Sequence, residues 1–356
     1  MNIGQLLHMK SKFFTLAAIA TVSAASVCGV CKADDLYHFI TRIPIGGEGG
    51  WDYLSIDPEA HRLYVSHSTE IVVIDLKSNQ IVGEITNTPG VHGIALAQKL
   101  GLGVTSNGRE NKAGIVDLKT LETLSKVDTS EGPDGMIYNP AMREAYLFCG
   151  RADAATVVDL KGQKVVATVP LAGRPEFAQA DPRANRVYDN LEDQSEVAVI
   201  DGATHTVVTN WPIAPGESAS GMAIDVKNHL LFIGCHNGMM VMMNDRNGRV
   251  VATVPIGQGV DADAFDPKTK LAFASCGDGT TTIAHEDSSD KLTVVQVLKT
   301  EPGARTMALD PVTHNIYLAT ADFEAPTNAP SGGERRHWRR IVPGTLRILV
   351  YGMDEE

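Results

Sequence analysis

Apolar and polar positions along this chain alternate in short runs that are broken by Gly, Pro, Asn and Asp. The stretch Arg249–Glu286 holds one complete unit. An apolar run ends in Val254-Pro255-Ile256-Gly257. A strand of small residues follows and closes on Asp266-Pro267. A Lys268-Thr269-Lys270 turn leads to a second apolar run, and a Gly277-Asp278-Gly279 turn leads to a third. Alternation at period two, bounded by turn residues, predicts β-strands. No long stretch carries the 3.6-residue period of an amphipathic helix.

The unit recurs. Aligned on the residue that closes the small-residue strand, the copies are Ser55-Ile56-Asp57, Ala95-Leu96-Ala97, Ile137-Tyr138-Asn139, Gln179-Ala180-Asp181, Ala223-Ile224-Asp225, Ala264-Phe265-Asp266 and Ala308-Leu309-Asp310. Their spacing is 40 to 44 residues. A fixed period in this range marks a repeat architecture. Four short strands per copy and seven copies predict an all-β, seven-bladed β-propeller. Six blades run Trp51–Thr86, Val91–Val127, Pro133–Val169, Arg174–Trp211, Ala219–Val254 and Val260–Val297. The seventh starts near Ala308 and is irregular. The segment Tyr37–Ile45 looks like an outer strand but precedes the first blade. Its natural place is as the fourth strand of blade seven, beside Thr345–Tyr351, so that it closes the ring and removes a free edge. Within blade seven, residues 325–342 form a Pro/Gly-rich insertion with the basic run Glu334–Arg340. Loops of this length are functional or disordered, and one use for it is a cationic flap.

Composition refines the picture. The chain has 356 residues, 43% apolar and 21% charged, with 33 glycines suited to many tight turns. Residues 1–33 read as a signal peptide. Lys10 and Lys12 precede an apolar stretch, and small residues stand before Asp34. A retained membrane anchor is the alternative reading. Cleavage would leave residues 34–356 as a single propeller domain, periplasmic or secreted. It would also remove Lys10, Lys12 and Lys32 and no acid, taking the net charge from −12 to −15. An acidic body argues against nucleic-acid binding, which needs a basic surface. Of the five cysteines, Cys149, Cys235 and Cys276 would remain, each at the end of a second strand. The odd count leaves at least one thiol unpaired.

The strands Leu63-Tyr64-Val65-Ser66-His67, Ala145-Tyr146-Leu147-Phe148-Cys149 and Ile316-Tyr317-Leu318-Ala319-Thr320, with the recurring V-V-x-T-V-P-I-G and A-x-D-P pieces, resemble the YVTN-repeat β-propeller family of YncE-like extracytoplasmic proteins. The resemblance covers about residues 36–352. It implies fold and compartment but no activity, because fold does not determine function.

Counting back five residues from each closing position gives one equivalent residue per blade: Asp52, His92, Asp134, Glu176, Ser220, Asp261 and Arg305. The links that carry them emerge on one face, so these polar residues should ring the mouth of the central channel. Close carboxylates repel, which raises some of their pKa values or calls for a cation. The turns between second and third strands add His67, Asn107, Arg109, Asn190 and His236 on the same face, and Trp51 would supply an apolar wall. Such a funnel suits a small ligand. Asp52, Asp134, Glu176 and Asp261 are hard oxygen ligands for a divalent cation. His92, Glu176 and Arg305 are the candidate catalytic groups of a metal-assisted lactonase- or lyase-like enzyme. Cys235–Met243 contains cysteine, histidine and four methionines, but methionines on both faces of a strand cannot converge on one ion; they read as core. The leading expectation is a propeller that binds a small molecule or a periplasmic protein in its funnel. The metal-assisted enzyme and a protein–protein scaffold are the alternatives.

Overall fold

The computed structural model describes residues 36–324 and 340–354. They form seven sheets, each of four antiparallel strands. We letter the strands of each blade a to d from the channel outward. In blade one they are Leu54–Asp57, Arg62–His67, Glu70–Asp75 and Gln80–Ile85. Strands a of successive blades lie side by side, and that of blade seven lies against that of blade one, which completes the ring. The expected boundaries hold to within a few residues.

Seven hydrophobic cores fill the seven junctions between blades. Alternation in the strands decides which core a side chain enters. Leu63 and Val65 face the junction with blade seven, whereas Tyr64 between them faces blade two. A strand sandwiched in this way is apolar on both faces, hence the near-continuous apolar runs. The methionine run obeys the same rule. Met240 and Met242 pack into the junction of blades five and six, Met239 and Met243 into that of blades four and five.

The turns are built by the closing aspartates. Asp57, Asp181 and Asp225 each accept backbone N–H bonds from residues two and three positions ahead, as do Asp75, Asp117 and Asp201 at the ends of strands c. Short acceptor side chains that fold back on their own backbone favour turns over further strand.

The ring closes as the chain order suggested. Strand His38–Pro44 pairs antiparallel with Arg347–Gly352, so blade seven is assembled from both ends of the chain. The backbone of Tyr37 exchanges two 2.8 Å hydrogen bonds with the Gln296 amide of blade six, and its hydroxyl donates to the His314 carbonyl at 2.6 Å. Glu301 accepts from both Arg42 and Arg347, tying the closing strand to its neighbour. Most of the basic insertion lies outside the described residues. Its base is a short ladder, with Phe323 bridged to Ile341 and Val342 N–H donating to Asp322 O. The signal-peptide segment lies wholly outside them. Among the described residues no helix is long and apolar enough to cross a membrane.

Candidate functional site

The channel mouth is shaped by a repeated irregularity. In blades two to six the pairing of strand a with strand b slips at its first residues, between Val91 and Ile94, Pro133 and Met136, Pro175 and Ala178, Ala219 and Met222, and Val260 and Ala262. These are bulges, and His92, Asp134, Glu176, Ser220 and Asp261 sit inside them. A bulge re-aims a side chain at the end of a ladder. In blades one and seven, strand a starts later and Asp52 and Arg305 lie just before it.

The ring residues meet. His92 Nδ1 is 2.7 Å from Asp52 Oδ2 and 3.1 Å from Asp134 Oδ1. Arg305 Nη1 is 3.3 Å from Asp261 Oδ2, and the Ser220 hydroxyl donates to Asp261 Oδ1 at 3.5 Å. Burial alone would lower the His92 pKa, but the hydrogen bonds to Asp134 and Asp52 outweigh it and lift the imidazole to about 10. Burial pushes Asp261 up to about 7; Arg305 opposes that rise, and Asp52 and Asp134 add to it. Glu176 is raised well above the usual carboxylate range, by burial and by repulsion from Asp134, Glu192, Asp261 and Asp52. Four ring carboxylates therefore face two ring cations, and the mouth holds protons that a bound cation would displace.

The position after each ring residue sets the floor. It is Tyr53, Gly93, Gly135, Phe177, Gly221, Ala262 and Thr306 around the ring. Two large aromatics occupy the space that the small residues leave. Tyr53 and Phe177 meet from blades one and four with ring centroids 5.2 Å apart, and the Tyr53 hydroxyl is 3.5 Å from the Glu176 carbonyl. A Cβ on Gly135 would lie 2.2 Å from that carbonyl, and one on Gly93 2.8 Å from the Tyr53 Cβ. Beyond the aromatic pair a cavity of about 860 Å3 continues along the channel, lined by Ser55, Ile94, Met136 and Gln179 among others.

The other expected residues contact the groups around the ring as follows. Trp51 packs on Phe323 at the base of the insertion, with ring centroids 6.3 Å apart, and joins the core between blades seven and one. His67 is buried with Nδ1 3.5 Å from Glu70. Asn107 accepts from Thr105 and donates to Glu110, and Arg109 is exposed. His236 Nε2 is 3.5 Å from Glu192. Asn190 has a supporting place, since its amide donates to the carbonyls of Ser220 and Gly221 in the blade-five bulge. The candidate metal set also changes. Asp52, His92 and Asp134 offer ligand atoms within 4.8 Å of one another, and Glu176 and Asp261 do not join that group. The three cysteines are free and buried, and burial pushes the thiol of Cys149 up to about 11 and that of Cys235 up to about 12.

Sequence reasoning missed Tyr53 and Phe177, although the position after each ring residue carries the signal. It also missed two buried carboxylates. Asp189 has no side-chain partner for either oxygen and is raised well above its ordinary range by burial and by Glu176. Asp263 lies between Gly221 and Gly234, receives the Gly234 N–H, and is raised by burial.

No protein-family model and no curated protein matches the sequence. Many solved structures share the fold. One is the Kuenenia stuttgartiensis hydrazine synthase, at 16% identity and a TM-score of 0.67, over 84% of this chain and 96% of that one. Another is U3-55K, at 11% identity and a TM-score of 0.71, over 89% and 98%. The chain is a seven-bladed β-propeller. At these identities the likeness concerns the fold alone.

Proposed function

We propose that this propeller binds a divalent metal ion at the channel mouth, with Asp52, His92 and Asp134 as its protein ligands, and that the ion and the remaining ring residues hold a small, oxygen-rich molecule. The observation that carries this reading is the convergence of three metal-binding side chains from three successive blades, each aimed inward. The donor set fits such an ion. Two carboxylates and an imidazole suit Mn2+ or Zn2+ better than Ca2+ or Mg2+, which prefer oxygen alone. Glu176, Asp261 and Arg305 supply further polar contacts around the opening, and Tyr53 with Phe177 gives the bound molecule an apolar floor.

Calorimetric titration of chelator-treated protein with Mn2+ and Zn2+ tests this. Uptake that is lost in Asp134→Asn and His92→Ala, with the fold retained, supports it; uptake indifferent to both contradicts it. A second reading, lactonase- or lyase-like turnover of the bound molecule, draws on one observation: burial and the neighbouring carboxylates raise Glu176 well above the usual carboxylate range, the direction that suits a general acid. On that reading, Glu176→Gln abolishes turnover of a lactone panel and leaves ion binding intact.

We infer further that the protein is an exported, YncE-like propeller working in the periplasm or outside the cell. The composition of residues 1–33 and the YVTN-type strands support this. The mature N-terminus, read by Edman degradation, should be Asp34.

A further inference from the structure

The face opposite the mouth carries a second cluster. Asp181 ends strand a of blade four, His229 lies in the a–b turn of blade five, and Asp245 lies in its c–d turn. A carboxylate oxygen from each aspartate and a ring nitrogen of His229 lie within 4.8 Å of one another. Asp181 and Asp245 are 1% and 2% exposed, and the Oδ2 atom of each has no hydrogen-bond partner. The cluster opens into a cavity of about 430 Å3 that Arg183, Arg186 and Arg246 also line. None of these arginines comes within 4.0 Å of either carboxylate; Arg246 instead donates to His229 Nε2 at 2.6 Å. Two buried carboxylates side by side, each with one oxygen that has no hydrogen-bond partner, are costly without a cation.

The repeat provides an internal control. The residue at the position of Asp245 donates its N–H to the carbonyl of the left-handed residue in its own a–b turn. Leu76 does so to His61, Leu118 to Gly101 and Leu160 to Arg143, as Asp245 does to His229. Blades one to three thus build the same turn with leucine. The carboxylate of Asp245 is not needed for the turn, and burying it there opposes stability. At the position of His229, blade four has Asn185, likewise with positive φ.

We propose that Asp181, His229 and Asp245 form a second binding site, for a transition-metal dication such as Zn2+ or Mn2+. The imidazole and two carboxylates supply three ligands. In the free protein His229 Nε2 accepts from Arg246, so Nδ1 carries the proton and faces Asp245 at 3.2 Å. Metal uptake at Nδ1 releases that proton, and the arginines around the opening suit an anion in the remaining coordination positions.

The test is native mass spectrometry and calorimetry with Zn2+ and Mn2+ on the chelator-treated full chain. Asp245→Leu and His229→Asn are the variants, because each installs the residue another blade carries at that place; circular dichroism checks their fold. Asp134→Asn serves as a control that disables the mouth only. The expected result is a dication that wild type and Asp134→Asn both take up and that both variants lose, with affinity reduced more than about a hundredfold. Uptake unchanged in both folded variants, or no dication beyond the one removed by Asp134→Asn, overturns the proposal. A failure at the mouth reads differently: Asp134→Asn then matches wild type.

Discussion

His92 shows how neighbours set the chemistry of a single group. Between Asp52 and Asp134 its imidazole is lifted to about 10. A raised histidine pKa contributes stability that is complete below its unfolded value, about 6.5, and that disappears as pH rises through the folded value. His92 should therefore remain doubly protonated at pH 8 in ring 15N spectra and lose that state in the Asp52→Asn, Asp134→Asn double variant. A spectrum of neutral imidazole at pH 8 in the wild type would contradict the account. Asp189 has the same sign from a different cause, burial in place of charged partners. Its carboxyl is raised, so between its unfolded and folded pKa values the native state holds the extra proton, and stability falls as pH rises across that window. Asp189→Asn should flatten this fall and stabilise the protein at pH 8 by about 1–3 kcal/mol, measured by urea unfolding at pH 5 and pH 8. The ring itself was legible in the sequence, because a strict repeat turns sequence offset into position around the axis. Asp189 was not, since a lone aspartate in an alternating strand looks like any outward-facing polar residue. Trp51 and His67 misled because nearness to the mouth along the chain does not decide which way a side chain turns.

At the scale of the strand, the bulge is the device that makes the site. It occurs at the start of strand a in five blades, and it turns the ring residues from the ladder into the channel. No residue pattern announces it beyond the glycines at 93, 135 and 221, whose role appears only when blades are packed side by side. Gly135 is the most demanding, with a backbone carbonyl 2.2 Å from where a Cβ would stand. Gly135→Ala should destabilise the fold by about 1–3 kcal/mol and weaken ion uptake at the mouth more than the conservative change suggests. Equal affinity in a stable Gly135→Ala protein would show that the bulge geometry is not what holds Asp134 against His92. The turns were easier to read. Closing aspartates and left-handed turn residues act through their own backbone, so local sequence is enough to place them.

The whole molecule divides its stability among seven equivalent junctions, and closure depends on the pairing of His38–Pro44 with Arg347–Gly352. Architecture at this scale was legible almost in full, because period, strand count and an orphan outer strand before blade one admit one arrangement. What the repeat hides is departure from itself. Asp245 stands where three other blades have leucine, and Tyr53 and Phe177 stand where others have glycine or other small residues. Those departures mark the mouth floor and the opposite-face cluster, and a period alone averages them away. Metal-dependent binding at the mouth is the property on which the proposed function rests. Crystals of the protein soaked in Mn2+, with diffraction collected near the manganese absorption edge, test it most directly. The expected result is an anomalous peak at the mouth within coordination distance of Asp52, His92 and Asp134, absent in Asp134→Asn. A map with no peak at the mouth at saturating Mn2+, and none with Zn2+ at its own edge, would contradict it.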